Sequence, residues 1–280
     1  MIKSIGIVGQ GFVGSSINNY FSSTTIDVNT FDLNGDCNCK NLEELVSNSE
    51  LIFLCLPTPM RMSGECDLSI VKNVIKNITK INKDKIIVIK STITPGSTDK
   101  FIEQYGKNII FNPEFLTEAN AQNDFVNQNR IILGGYGITL EKCSQFFSTY
   151  FPNAVIINCK PTEAELTKYV TNTFLAVKVA YANEISTIAE LFELDYKKLV
   201  NIFTIDERLG NSHWHVPGPD GKKGFGGSCF PKDINALIFF AKKNKIKVPL
   251  LENAWKRNIE IDRKEKDWEQ LIGRAIIEEG

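Results

Sequence analysis

The residues best suited to chemistry lie in the segment 224–233, GFGGSCFPKD, which is centred on Cys229. Pro231 suits the first turn of a helix, so Cys229 is expected just before a helix N-terminus. A helix N-terminus and a neighbouring cation, here Lys232, favour the thiolate form that acts as a nucleophile. Asp233 follows four residues after the cysteine and is expected near it on the first turn. A buried cysteine after a flexible turn is the alternative interpretation.

A second candidate site is the motif Gly9-Gln10-Gly11-Phe12-Val13-Gly14, which follows a short apolar run. In such a motif the glycines permit a tight turn, approach of the backbone to a pyrophosphate, and close packing of helix on strand. The phosphates would meet the unpaired N–H groups of the helix N-terminus. Asp32 ends the next apolar run about 20 residues further on, where an acid binds the adenosine ribose and repels a 2′-phosphate. The sequence therefore predicts an NAD site, with a glycine-rich turn without ligand as the alternative.

Three polar segments directly follow other apolar runs, namely Pro57-Thr58-Pro59, Ser91-Thr92 and Asn112-Pro113-Glu114. In an open parallel sheet, ligands bind beyond the carboxyl ends of the strands. These segments are therefore candidates for the same crevice as the glycine motif. Simple termination of each strand by turn-forming residues is the alternative, and hydrophobic periodicity does not exclude it.

The elements that must position these residues follow from short apolar runs that alternate with amphipathic segments such as 68–81. This alternation predicts βαβ units, and hence a Rossmann-like, doubly wound and mostly parallel sheet. The predicted strands are 5–8, 26–31, 51–56, 86–89, 109–111, 131–133 and 155–157.

The pattern changes after Cys159. Thr162 and Glu165 have the spacing of a capping box, and nothing breaks a helix from there to about Phe192, roughly 30 residues. Such a helix joins domains or forms a subunit interface. A Gly- and Pro-rich loop is predicted over 210–227, a helix from Pro231 to 243, and another helix over 252–277. The expected domains are an NAD-binding domain, 1–160, and a mainly helical central and dimerisation domain, 161–280.

Composition narrows the class of protein. The 280 residues include 32 basic and 33 acidic side chains, so no strong field attracts nucleic acid or an anionic membrane. The apolar runs are too short to span a bilayer, and the N-terminus lacks the pattern of a signal peptide. Seven cysteines without paired metal-ligand spacing predict free thiols in a reducing cytoplasm. His213 and His215, the two histidines, have too few partners to predict a metal site.

The motifs together resemble the UDP-glucose 6-dehydrogenase family, within the group that includes UDP-N-acetylmannosamine and GDP-mannose dehydrogenases. The resemblance covers residues 1 to about 255. It rests on separated motifs in the order of the family: residues 9–14, Leu56-Pro57-Thr58-Pro59, Lys90-Ser91-Thr92, Asn112-Pro113-Glu114-Phe115-Leu116-Thr117-Glu118, Asn129-Arg130, Glu165-Leu166-Thr167-Lys168, Asn172, the loop 212–221 and residues 224–233.

The resemblance implies a four-electron oxidation of a UDP-sugar C6 alcohol to the uronic acid, UDP-glucose to UDP-glucuronate above all, with two NAD per sugar. Cys229 would trap the aldehyde as a thiohemiacetal, because an aldehyde becomes a hydride donor only after a nucleophile adds to it. Lys168 would stabilise oxyanions with Asn172, and their i, i+4 spacing sets both on one face of a helix. Glu114 would activate water as general base, and Asp233 would position water and the lysine.

The resemblance also implies binding residues and a partner. Thr92 and Glu118 match residues near the nicotinamide and a catalytic water, and Arg208 matches an arginine that reaches the sugar site of a neighbouring subunit. The protein is therefore expected to be a homodimer. Cofactor-binding candidates are residues 9–14, Asp32, Pro57, Thr58, Thr92, Glu118 and Lys232. Substrate-binding candidates are Glu114, Phe115, Leu116, Glu118, Lys168, Asn172, Arg208, Phe225 and Gly226.

The sequence departs from the family pattern after the central helices, where members continue with a nucleotide-binding domain of about 100 residues. Three alternatives follow: an active enzyme without that domain, an enzyme completed by a separate chain, and a non-catalytic remnant that binds NAD or a partner. Within the enzyme class, UDP-N-acetylmannosamine or another nucleotide sugar is the alternative substrate. A β-hydroxyacid dehydrogenase has a similar size but does not need Cys229.

Overall fold

The computed structural model describes residues 2–35 and 37–277, and contacts divide the chain into two compact units. The first unit contains Met1–Thr58 and Leu68–Lys168. The second contains Pro59–Asp67 and Tyr169–Gly280. The second unit therefore takes one short segment from the N-terminal half of the chain.

The first unit is built on a seven-stranded sheet in the order β2-β1-β3-β4-β5-β6-β7. Neighbouring strands are parallel except for β5 and β6, which are antiparallel. The predicted Rossmann-like, mostly parallel sheet is confirmed, and each predicted apolar run is a strand. The strands are β1 Ser4–Val8, β2 Asp27–Phe31, β3 Leu51–Leu54, β4 Ile86–Ile89, β5 Ile109–Phe111, β6 Arg130–Gly134 and β7 Val155–Cys159.

Helices cover both faces of this sheet, so its central strands are apolar throughout. Successive side chains of a strand point to opposite faces. Leu51 and Phe53 of β3 accordingly join one core cluster, while Ile52 and Leu54 join the other. The covering helices are α1 Phe12–Phe21, α2 Leu42–Asn48, α3 Ser69–Ile81, α4 Ser97–Tyr105, α5 Ala121–Val126 and α6 Gly137–Tyr150.

The strand order changes direction at β1, because β2 pairs with one side of β1 and β3 pairs with its other side. Gly9 directly follows β1 with a φ of 94°, and a Cβ there would lie 2.3 Å from the Cys55 carbonyl oxygen after β3. A Cβ on Gly14 would lie 1.9 Å from the Gly9 carbonyl oxygen. Only glycine fits either position, because α1 and β3 both approach the turn closely.

A single helix, α7, runs over Pro161–Leu191, which confirms the long helix expected after Cys159. The prediction that Thr162 and Glu165 form a capping box at its start is wrong. The helix begins at Pro161, two residues earlier than a cap at Thr162 implies, so the carboxylate that reaches back is Glu163, which accepts from the Lys160 N–H at 2.8 Å. Glu165 is instead buried and accepts from the N–H groups of Gly96 and Thr98, at 2.5 and 2.7 Å, at the start of α4.

The second unit is mainly helical, with α8 Tyr196–Phe203, α9 Phe230–Lys243 and α10 Pro249–Arg257. The predicted loop over 210–227 is confirmed, since it consists of turns, bends and irregular backbone. The helix predicted from Pro231 is also confirmed. The single helix predicted over 252–277 is confirmed only as far as Arg257, where α10 ends, and is wrong beyond that residue. A π-helical turn at Asn258–Asp262 and a short 3-10 helix at Asp267–Gln270 replace it, because Asn258 and Arg263 turn inward to bind the loop before Cys229.

Within the described ranges, no helix combines the length and the apolar character that crossing a membrane requires.

Candidate functional site

The glycine turn after β1 leaves room for a ligand at the start of α1. Gly11 is the N-cap, no side chain caps the helix, and no acidic residue lies in its first turn. A Cβ built on Gly11 meets no atom within 4 Å, in contrast to Gly9 and Gly14. The space beside Gly11 at the start of α1 is therefore open, which fits a pyrophosphate bound by the N–H groups of a helix N-terminus.

Asp32 lies directly after β2 and contacts the same turn. Its carboxylate accepts from the Gln10 N–H at 2.6 Å and from the Asn34 N–H at 2.9 Å. A carboxylate has about four lone-pair sites, so acceptor sites remain for two ribose hydroxyls. The turn and the acid predicted for NAD are thus in contact, and the residues present fit a dinucleotide without a 2′-phosphate.

The polar segments that follow β3 and β4 are bonded to each other. The Thr58 hydroxyl donates to the Thr92 carbonyl oxygen at 2.7 Å, and the Leu56 N–H donates to Ser91 Oγ at 2.9 Å. Thr58, Ser91 and Thr92 are buried, whereas Pro57 is exposed. Both segments follow parallel strands, so they lie at the carboxyl edge of the sheet, as the glycine turn does.

Lys168 and Glu114 form a buried ion pair in the first unit. Lys168 Nζ donates to Glu114 Oε1 at 2.9 Å and to the Glu114 carbonyl oxygen at 2.5 Å. The other carboxylate oxygen accepts from the Leu116 N–H at 2.8 Å. The Phe115 ring lies 5.4 Å from Lys168 Nζ and 4.7 Å from Arg130 Cζ. The general-base candidate is therefore held beside a cation.

A second buried lysine, Lys90, lies close enough to this pair for their charges to interact. Its Nζ donates to Asn112 Oδ1 at 2.9 Å. Burial lowers the pKa of Lys90 to about 8, although its electrostatic interactions with Cys55 and Glu114 act in the opposite direction. Burial likewise raises the pKa of the Cys55 thiol to about 12. The sequence signal was a lysine that directly follows an apolar strand, and no role had been predicted for it.

Glu118 starts a short 3-10 helix, Glu118–Asn120, and its side chain is exposed. It lines a groove with Phe12 and Ser15 of α1. The preceding Thr117 is fixed by Asp124, which accepts from both its N–H and its hydroxyl at 2.8 and 2.6 Å. Glu118 thus borders the helix that begins at the glycine turn.

In the second unit, Cys229 is the N-cap of α9 and is half-buried. Its Sγ lies 3.8 Å from the Ser228 hydroxyl. Pro231 occupies the first turn of α9, which no side chain caps. The thiol therefore lies at the positive end of the helix dipole, an environment that favours a thiolate.

Asn172, Lys232 and Asp233 form a buried network next to this cysteine. Asp233 accepts from Lys232 Nζ at 2.5 Å and from Asn172 Nδ2 at 2.6 Å, and it is 1% exposed. Burial alone would lower the pKa of Lys232, but the negative charges of Asp233, Cys66 and Cys229 raise it above its ordinary value. The predicted cluster of Cys229, Lys232 and Asp233 is thus brought together around one ammonium.

Arg208 lies elsewhere in the second unit, on the 3-10 helix Glu207–Leu209, with its side chain 88% exposed and paired with Asp206. Lys178 donates to the Leu209 carbonyl oxygen at 2.8 Å and lies 4.7 Å from the Trp214 ring centre. Burial and the Lys178 charge lower the pKa of His213. Among the residues that the structure describes, no group of three His, Cys, Asp or Glu could hold a metal ion.

The predicted residues therefore fall into connected sets within each unit. The first unit holds the glycine turn with Asp32, the pair Thr58 and Thr92, and the ion pair Glu114 and Lys168. The second holds Cys229 with Asn172, Lys232 and Asp233, and also Phe225 and Gly226. Sequence reasoning missed two residues of this second set, Asn258 and Arg263, which bind the loop before Cys229.

The first unit has a mostly parallel sheet with a glycine turn of the kind that binds dinucleotides, and the second is helical with a cysteine at the N-terminus of a helix. Together they define a Rossmann-type protein of two units. The chain belongs to the UDP-glucose/GDP-mannose dehydrogenase family. Residues 33–148 match the NAD-binding domain of the family, and residues 162–260 match its central domain.

Relatives with curated names agree with this assignment. The chain is 39% identical over 227 residues to a UDP-glucose 6-dehydrogenase of Rickettsia bellii, covering 78% of this chain and 51% of that protein. It is 33% identical over 226 residues to UDP-glucose 6-dehydrogenase TuaD of Bacillus subtilis, covering 76% and 47%. The chain thus spans about half the length of the curated relatives it matches.

Solved structures share the fold. A UDP-glucose dehydrogenase from Pyrobaculum islandicum superposes with a TM-score of 0.81 at 25% identity, covering 92% of this chain and 68% of that chain. A 3-hydroxyisobutyrate dehydrogenase from Mycobacterium tuberculosis superposes with a TM-score of 0.75 at 19% identity, covering 95% and 96%. At that identity the second likeness concerns the fold alone.

Proposed function

We propose that this protein oxidises the C6 alcohol of a UDP-sugar, UDP-glucose first of all, to the uronic acid with Cys229 as covalent nucleophile. The observation that carries the proposal is Cys229 at the N-terminus of α9, beside the buried network of Asn172, Lys232 and Asp233. A β-hydroxyacid dehydrogenase of the same fold has no need for a thiolate at this position.

NAD bound at the glycine turn would accept a hydride in each of the two oxidation steps. Gly11 and the N–H groups of α1 would hold its pyrophosphate, and Asp32 its adenosine ribose. Thr58, Thr92 and Glu118 line the carboxyl edge of the sheet and the adjacent groove, which supports a role for them on the nicotinamide side.

Cys229 would supply the covalent step. The thiolate would add to the aldehyde carbon and form a C–S bond, and the new hydroxyl would make the thiohemiacetal carbon a hydride donor. Loss of that hydride and of the hydroxyl proton gives a thioester. Water then replaces the sulfur, releasing the acid and the thiol.

Lys168, Asn172, Glu114 and Asp233 would stabilise charge and move protons in these steps. Lys168 and Asn172 lie four residues apart on α7, one turn of helix, so both point from one face. The cation of Lys168 suits an oxyanion, and Glu114 is already fixed by two hydrogen bonds to its carboxylate. Glu114 would take a proton from the hydrolytic water.

Phe115, Leu116 and Gly226 would contact the sugar nucleotide. Phe225 is 3% exposed, and its ring packs on Phe230 and Trp255, 6.4 and 6.2 Å away. That burial supports a role for Phe225 in shaping the loop that presents Gly226 to the substrate.

The proposal is tested by turnover with purified protein. UDP-glucose and NAD should yield two NADH per sugar, and Cys229→Ser should stop the reaction while leaving NAD affinity unchanged. UDP-N-acetylmannosamine and GDP-mannose serve as alternative substrates in the same assay. No turnover on this panel, alone or with added extract fractions that supply a complementing chain, would favour a non-catalytic NAD-binding protein.

We also propose that the protein is a homodimer. α7 carries an apolar stripe of exposed side chains at helical spacing: Val170, Phe174, Tyr181 and Ile188, each more than half exposed. Burial of such a stripe against a second copy would stabilise an isologous interface. Arg208 would then be available to the sugar site of the partner. Light scattering should give twice the monomer mass, and Phe174→Glu should reduce it to the monomer.

A further inference from the structure

The loop before Cys229 is held by two residues that the proposed mechanism does not use. Asn258 and Arg263 lie just after α10, and both are buried, at 0% and 1% exposure. Arg263 lies beyond residue 260, where the match to the central domain of the family ends. We call the contacts of Asn258 and Arg263 with residues 223–226 the loop clasp.

Asn258 fixes the backbone of Phe225 on both sides. Its Oδ1 accepts from the Phe225 N–H at 2.8 Å, and its Nδ2 donates to the Phe225 carbonyl oxygen at 2.9 Å. A Cβ on the preceding residue, Gly224, would lie 2.4 Å from Asn258 Oδ1. The carboxamide therefore occupies the space that any other residue at position 224 would need.

Arg263 covers the next residue in the same way. A Cβ on Gly226 would lie 2.4, 2.6 and 2.7 Å from Nη2, Cζ and Nε of Arg263, so the guanidinium plane lies against the glycine. Its Nη1 donates to the Lys223 carbonyl oxygen at 3.2 Å. The loop thus folds around the guanidinium of Arg263, and each of its three nitrogens donates a hydrogen bond.

Two carboxylates hold the guanidinium in this position. Asp267 accepts from Nε and Nη2 at 3.2 and 2.8 Å, and Asp220 accepts from Nη2. The hydrogen bonds from Arg263 hold the pKa of Asp267 below its usual range. A bidentate arginine of this kind has a fixed orientation that lysine cannot reproduce.

We propose that Arg263, with Asn258, is a positioning residue for the Cys229 loop. The clasp would hold the backbone of 223–226 rigid, so that Gly226 meets the substrate and Cys229 stays half-buried at the start of α9. A fixed arrangement matters because displacing a reacting group by about 1 Å costs about 100-fold in rate. The consequence for turnover rests on the proposed function, whereas the consequence for the thiol does not.

The test compares Arg263→Ala and Arg263→Lys with Lys264→Ala, which removes an exposed neighbouring cation. Alkylation of Cys229 by iodoacetamide is followed by peptide mass spectrometry, with Cys37 in the first unit as internal reference. Both Arg263 variants should alkylate Cys229 several-fold faster, with the Cys37 rate unchanged. They should lose roughly 10- to 100-fold in kcat with KM for NAD unchanged.

Millimolar guanidinium should restore both readouts in Arg263→Ala, whereas potassium at equal ionic strength should not. An Arg263→Lys protein with Cys229 alkylation and kcat within twofold of wild type would overturn the inference, even if Arg263→Ala does not fold. If no nucleotide sugar is turned over by wild type, the proposed function fails, while faster Cys229 alkylation rescued by guanidinium would still support the clasp.

Discussion

Lys168 Nζ donates to both the carboxylate and the main-chain carbonyl of Glu114, and the two side chains are 4% and 8% exposed. A buried pair of this kind is costly to break by removing one partner, because the remaining charge stays in a medium of low dielectric. The same pair can be removed as a whole at far smaller cost. This asymmetry gives a test of the pair that needs no substrate.

Lys168→Met should destabilise the protein by about 3 kcal/mol, since it removes the cation that is hydrogen-bonded to the buried Glu114 carboxylate. The double variant Lys168→Met/Glu114→Gln should recover a large part of that loss. Urea unfolding of Lys168→Met, Glu114→Gln and the double variant measures the coupling free energy between the two side chains. Strictly additive losses would contradict a direct interaction.

The glycine turn predicts opposite results for two similar substitutions. Gly14→Ala should destabilise the fold by more than about 1 kcal/mol, because its Cβ would lie 1.9 Å from the Gly9 carbonyl oxygen. Gly11→Ala should leave stability nearly unchanged, since that Cβ meets no atom within 4 Å, but should weaken NAD binding by obstructing the pyrophosphate. Thermal unfolding and calorimetric titration with NAD separate the two effects. Equal NAD affinity for Gly11→Ala and wild type would place the dinucleotide elsewhere.

The lowered pKa of Lys90 predicts that the protein becomes more stable as pH rises in the alkaline range. Its pKa is about 8 in the folded protein against an ordinary 10.5, so between these values the unfolded chain binds more protons. The free energy of unfolding should therefore increase with pH in this window, by up to about 1.4 kcal/mol per pH unit. Denaturant titrations in a Cys55→Ala background, which removes the neighbouring thiol, should show this slope. The matched Lys90→Met protein should lose it.

The raised pKa of Glu165 predicts the opposite dependence at acid pH, where the free energy of unfolding should fall as pH rises. Burial raises its pKa to about 7 from an ordinary 4.5, so the folded protein binds more protons between these values. Relative to Glu165→Gln, wild type should lose stability as pH rises from 4.5 to 7. Urea midpoints measured at both ends of this range test the sign. A difference between the two proteins that does not vary with pH would show that Glu165 keeps one protonation state throughout.

The sheet was predictable from the sequence because its strands are buried on both faces and therefore appear as short apolar runs. The glycine motif and Asp32 were predictable for a similar reason, since local spacing alone brings them to the ends of β1 and β2. The order of the strands and the antiparallel pairing of β5 with β6 were not, because they depend on contacts between segments far apart in the chain.

The two errors have different causes. Glu163 and Glu165 are both suitable capping residues, and only the start of α7 at Pro161 decides between them. The segment after Arg257 has the composition of a polar helix. Its turn inward depends on partners in the loop 220–226, and no periodicity within the segment encodes them.

The short segment Pro59–Asp67 has a consequence for how the helical unit folds. Met60 pairs through its backbone with Ala275 and Ile277 and packs on Trp268, roughly 210 residues further along the chain. Bringing together segments so far apart in sequence carries an entropic cost that helices formed from neighbouring residues do not carry. We therefore expect the helical unit to fold more slowly than its helix content alone would suggest.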